Sequence, residues 1–161
     1  MPVNMHIKID SIDGSSEVDG FTNQIQLSSF QWDMTQTTTF QDAQGGGAGK
    51  VMVDKLKFTH RVDKSTPKLM LACSTGQHIK EAILTCRKVD GKSGVDFLKI
   101  TLTDVIVARV RPASVASDTP VEDVELSMAS YKVEYQDQDN TGAKKGGVVE
   151  AAFSIQKNKQ L

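Results

Sequence analysis

In VELSMASYKVEY, residues 124–135, apolar residues recur at every second position, but their parity changes halfway. Val124, Leu126 and Met128 give way to Tyr131, Val133 and Tyr135. A period of two marks a β-strand with one buried face. Such a strand can move its apolar face to the other side only through a bulge or a sharp bend. The same change occurs twice more. Ile25 and Leu27 are followed by Phe30, Trp32 and Met34, which places a bulge near Ser28-Ser29; Val51 and Val53 are followed by Leu56, Phe58 and His60. Strands that exchange faces midway belong to sheets that curl and switch layers, as in a barrel or an orthogonal sandwich.

The rest of the chain agrees. Val3, Met5, Ile7 and Ile9 alternate with Asn4, His6, Lys8 and Asp10, and a glycine-punctuated loop follows over 13–20. Further strands are expected at 79–89, 95–110 and 148–155, the second of them long enough to bend. One segment breaks the count. In KSTPKLMLACSTGQH, Ser65 or Thr66 can cap a helix, Pro67 suits its first turn, and Gly76 ends it. Leu69, Met70, Ala72 and Cys73 are expected on its buried face. Aromatic residues make up only 6% of the chain, so Phe30, Trp32 and Met34 are expected inside rather than as an exposed stacking platform. Their alternating partners Ser29, Gln31, Asp33 and Thr35 then form a polar outer face. The reading is a mainly β fold: a small β-barrel of two packed antiparallel sheets with one short helix on the side, a single domain over 1–161.

Composition excludes several functions. No apolar run approaches the roughly 18 residues of a membrane-spanning helix, and MPVNMHIKID has no apolar core of a signal peptide. A cytoplasmic origin is expected. The net charge of −1, with acids and bases interspersed, lacks the basic balance of a nucleic-acid binder. Cys73 and Cys86 form no C-x-x-C pair and read as small apolar side chains in a reducing compartment.

The motifs that suggest chemistry fail on inspection. QGGGAGKV at 44–51 resembles a phosphate-binding loop, but Gln44 replaces its first glycine and Val51 its metal-holding hydroxyl. A strand pattern follows where that loop needs a helix. DQDNTGAKKGGV at 137–148 imitates a calcium loop through Asp137, Asp139 and Thr141-Gly142. Its twelfth position, Val148, lacks the required glutamate, so a turn is expected. His6, His60 and His78 are scattered and make no metal-ligand spacing. GKSG at 91–94 reads as a turn, and no nucleophile elbow exists. No catalytic residue, metal or cofactor is expected. What remains at 37–50 is a long glycine-rich excursion, in a setting where hairpin loops usually run about 2–5 residues.

Three separated stretches, GGGAGKV (45–51), DKSTPKLMLACSTGQH (63–78) and VEYQDQDNTGAKKGG (133–147), together with the start MPVNMHIKI, resemble the Hcp (haemolysin-coregulated protein) family over essentially the whole chain. Asn4 and His6 depart from the acid and aromatic often found at these positions. The resemblance implies a tail-tube subunit of the bacterial type VI secretion system. Six copies would form a ring, and rings would stack into a hollow tube inside a contractile sheath, with a spike protein at the tip and effector proteins as cargo. Export through the machine itself would need no signal peptide. With the chain ending at Leu161, the C-terminal toxin that some members carry is not expected. The resemblance further implies that the loop Gln44, Gly45, Gly46, Gly47, Ala48, Gly49 and Lys50 reaches the next ring, its glycines allowing close approach. With one polar face turned inward, Ser29, Gln31 and Asp33 become candidates for the lumen. The alternative is a monomeric β-barrel module binding a carbohydrate or a partner peptide.

Overall fold

The computed structural model describes residues 2–40, 47–90 and 93–161. Its elements are β1 (Val3–Ile9), β2 (Ile25–Gln31), β3 (Met34–Thr35), β4 (Thr38–Thr39), β5 (Gly47–Ala48), β6 (Met52–Val53), β7 (Leu56–Arg61), α1 (Thr66–Thr75), β8 (His78–Asp90), β9 (Ser93–Ala113), β10 (Val121–Gln138), β11 (Lys144–Ser154) and β12 (Lys159–Gln160). The main sheet runs β12-β11-β10-β7-β2-β1-β8-β9, and β9 pairs in turn with β10, so six strands close on themselves. Every pairing is antiparallel.

The two layers arise because β10 changes partner along its length. Its residues 121–126 pair with β7, and 130–138 pair with β11, while β9 follows its other edge from Val121 to Tyr135. The β9–β10 register shifts between Glu125 and Leu126, close to the parity change in the sequence. The bulge expected near Ser28-Ser29 is present, as a shift in the β2–β7 register between Leu27 and Ser29. Side chains from both layers meet in one apolar cluster, with Ile7, Ile25, Leu56, Phe58, Leu84, Leu102, Val124 and Leu126 among its buried members. Each such side chain contributes about 1.5–3 kcal/mol of transfer free energy.

Helix α1 begins and ends as its sequence directs. Pro67 occupies the first turn, and Gly76 adopts a left-handed φ of 66° while its N–H bonds the Ala72 carbonyl. Ser65, however, makes no side-chain cap bond; its hydroxyl donates to the Asp63 carboxylate instead. Leu69 and Ala72 are fully buried, and Cys73 packs against the cluster. Met70 is exposed, against expectation, because successive helical residues are turned about 100° apart. Met34 is exposed too. It lies beyond the end of β2, where no second layer covers it, whereas Phe30 and Trp32 pack on the core as expected. Trp32 is fixed edge-on to Tyr131, with ring centroids 5.1 Å apart, and donates Nε1–H to the Asp54 carbonyl at 2.9 Å.

Candidate functional site

Two features stand out from the barrel. The first is a polar sheet face. Past the bulge, β2, β7, β10 and β9 place side chains in cross-strand rows. Ser29 pairs with Thr59, Thr59 with Asp123, and Asp123 with Arg111; next to them run Gln31, Lys57, Glu125 and Arg109. These residues line a groove of about 290 Å³. The Thr59 hydroxyl donates to Asp123 at 2.6 Å. Glu125 lies 3.5 Å from Lys57 and 3.7 Å from Arg109. Ser29 and Gln31 are therefore brought together in a groove, on a face that also carries three bases and two acids. Asp33 is exposed but lies beyond β2, at the base of the second feature, where its carbonyl accepts from the Asp54 N–H. Periodicity nominates Lys57 and Thr59 for this face, as the alternates of Leu56, Phe58 and His60. Arg109, Arg111, Asp123 and Glu125 follow only from the register.

The second feature is a two-stranded arm in place of the expected loop. Strand β3 pairs with β6 and β4 with β5; Thr38 faces Ala48, Thr39 faces Gly47, and the Gly49 N–H bonds the Thr37 carbonyl at 3.0 Å. Gln44, Gly45 and Gly46 lie outside the described residues; Gly47 and Ala48 are strand, and Gly49 and Lys50 follow them. The eight residues 33–40 extend about 26 Å at strand rise, and all are exposed. Phe40 (80% exposed) and Met52 (69%) carry its apolar surface. A Cβ added at Gly49 would come within 3.3 Å of the Thr37 Cβ, and one at Gly47 within 3.2 Å of the Thr39 hydroxyl. Glycine here permits close strand approach. The residues after Lys50 form β6 and β7, so the helix that a phosphate loop requires does not follow.

The other motifs resolve as local structure. Asp139 accepts from the Thr141 hydroxyl, the Thr141 N–H and the Ala143 N–H, which holds its carboxyl below the usual aspartate range. That carboxylate organises a turn. The turn is shorter than expected, since β10 continues to Gln138 and β11 starts at Lys144. Part of the GKSG segment lies outside the described residues, and Gly94 is within β9. His78 is exposed and contacts Asp104 at 2.7 Å, whereas His6 and His60 are fully buried. Cys86 is buried, which raises its thiol pKa to about 11; Cys73 is partly buried. Among the described residues no group of His, Cys, Asp or Glu has metal-site geometry, and no helix is long and apolar enough to cross a membrane.

Residues 6–135 match the family model described as "Type VI secretion system effector, Hcp". The chain is 42% identical to Protein hcp1 of Pseudomonas aeruginosa over 161 residues, covering 99% of each. Its fold is similar to the crystal structure of Hcp1 from Salmonella typhimurium, with a TM-score of 0.83, 35% identity and full coverage of both chains. It is also similar to a type VI secretion system effector from Yersinia pestis, with a TM-score of 0.77, 31% identity, and coverage of 93% of this chain and 98% of that one.

Proposed function

This chain belongs to the Hcp family of type VI secretion proteins, and from that premise we propose that it is the structural subunit of the secretion tube. It acts as one tail-tube domain, six copies of which close into a ring; rings stack through the β3–β6 arm into a hollow tube, within a contractile sheath and behind a spike. The groove face bearing Ser29 and Gln31, with Asp33 at its margin, lines the lumen and meets effector cargo. The subunit resides in the cytoplasm before firing and then leaves through the tube itself. Catalysis plays no part in this reading.

The observation that carries it is the arm. A two-stranded ribbon is at best marginally stable in water, and this one presents Phe40 and Met52 to solvent. An adjoining ring would cover it. The sheet behind it also suits lateral closure. Among the described residues, β2 is paired with β1 only at Ile25 and Gln26, and β8 follows β9 only as far as Ile106. That leaves one open edge on each side of the β2-β7-β10-β9 layer, as a head-to-tail contact requires. Native mass spectrometry with negative-stain imaging tests the reading. A dominant six-subunit species seen as open rings is expected; a chain that stays monomeric at every concentration would overturn self-assembly into rings and favour the binding-module alternative.

A further inference from the structure

The loop joining β1 to β2 is fixed at its start by the Asp10 N–H bond to the Glu81 carbonyl and by Ile12 in the core. Beyond that, residues 14–24 are held to the barrel mainly by side chains, and a histidine stands at the centre of that attachment. His6 on β1 is fully buried. Its Nε2 meets the Ser16 hydroxyl of the loop at 3.1 Å. Its ring stacks on loop residue Phe21, with centroids 4.3 Å apart and planes 7° from parallel. The Arg87 guanidinium of β8 lies 4.2 Å from the centroid of the same Phe21 ring, and it also donates to the loop carbonyl of Asp19 at 3.4 Å.

Charge is balanced at Arg87 but not at His6. Asp96 of β9 takes two hydrogen bonds from Arg87, at 2.6 and 3.2 Å. Flanking His6 in the strand register are Thr85 of β8 and Gln26 of β2, both uncharged. Among the described residues, its Nδ1 has no hydrogen-bond partner. A proton on this imidazole would create a buried cation with no carboxylate hydrogen-bonded to it and Arg87 nearby. Residue 15 of the loop has its own anchor: the Ser15 N–H donates to Asp63 at 3.1 Å, and the Ser15 hydroxyl accepts from the Lys64 N–H at 3.2 Å.

We propose that residues 14–24 are an acid-sensitive strap: neutral His6 keeps it closed through Ser16 and Phe21, and protonation of His6 releases it. Ser15 and Ser16 line a cleft of about 380 Å³ together with Gln26, Ser28, Arg61 and Asp63, so release reshapes that cleft. The inference is independent of ring assembly. Burial first, and the Arg87 charge second, lower the pKa of His6 from the ordinary histidine value. The open strap therefore takes up a proton more readily than the closed one, and opening becomes easier as pH falls below about 6.5, by up to tenfold per unit.

Hydrogen exchange at pH 7.5 and 5.5, corrected for intrinsic rates, reads this directly. The amides of Gly14, Ser16, Phe21, Asn23 and Gln24 all bond carbonyls within the loop. Their opening is expected to rise at the lower pH, by up to about tenfold, while β8 and β9 amides stay protected. His6→Phe retains a ring against Phe21 and should abolish the rise. His6→Gln serves if the first variant folds poorly. A wild-type strap insensitive to pH, or a variant with an undiminished rise, would overturn the proposal. So would an NMR titration of folded protein placing His6 at or above 6.5.

Discussion

Glu122 and His60 show what a single position can demand of the whole fold. Glu122 shares the parity of Val124 and Leu126, so its carboxyl enters the core side of β10 and is fully buried. His60 is its register partner on β7, equally buried, and their side chains meet at 2.9 Å. Thr66, at the start of α1, adds a longer contact of 3.4 Å to the same oxygen. Leaving one buried partner unmatched costs about 3 kcal/mol, whereas replacing both with apolar groups can be nearly neutral. Glu122→Leu is thus expected to lower the Tm by about 6–12 °C in a chain of this size. The double variant His60→Leu/Glu122→Leu should recover most of that loss. Thermal unfolding followed by circular dichroism checks both; an equal or larger loss in the double variant would show that the pair is not the source. The sequence held a signal for this pair, a glutamate and a histidine each standing in phase with core residues on its strand. Only the register brings the two together.

At the scale of elements, legibility follows from side-chain pattern. The bulge at Ser28-Ser29 could be read because Leu27 and Phe30 are large and apolar, and burial forces the parity change. The helix could be read because Pro67 and Gly76 bracket it. The outer part of the arm, β4 and β5, could not be read as strand, since Thr37, Thr38, Thr39, Gly47 and Gly49 carry no apolar alternation and its ladder rests on backbone bonds. The extent of β11 was obscured by Gly146, whose φ is 68°. The Gln136 side chain spans the adjoining irregularity by donating to the carbonyls of Asp137, Lys145 and Gly146. The arm offers its own test. A valine at position 49 would press on Thr37 and distort the ladder, while every residue over 33–40 is exposed and outside the core. Gly49→Val should therefore shift the Tm by no more than about 2 °C. In the proposed tube, single rings should persist, and their stacking, scored by sedimentation and negative-stain imaging, should fall. Stacks as long as those of the unaltered protein would remove the arm from the axial contact.

Over the whole molecule, the net charge is only −1, yet one face concentrates Lys57, Arg109, Arg111, Asp123 and Glu125 around uncharged Ser29 and Gln31. Parity alone identifies this as a polar face; it does not identify what the face meets. If six copies close into a ring as proposed, one substitution per chain becomes a band of six charges around it. Gln31 stands opposite Lys57 in the register, so Gln31→Glu sets a carboxylate beside a cation and leaves the strand pairing undisturbed. If this face lines the lumen, a cargo of net negative charge should be retained about fivefold less and a basic cargo about fivefold more, a change of about 1 kcal/mol. Both effects should shrink as salt shortens the screening length. Co-purification of one acidic and one basic cargo with intact rings measures them. Unchanged retention of both would place the groove on the outside of the ring and remove Ser29 and Gln31 from cargo contact.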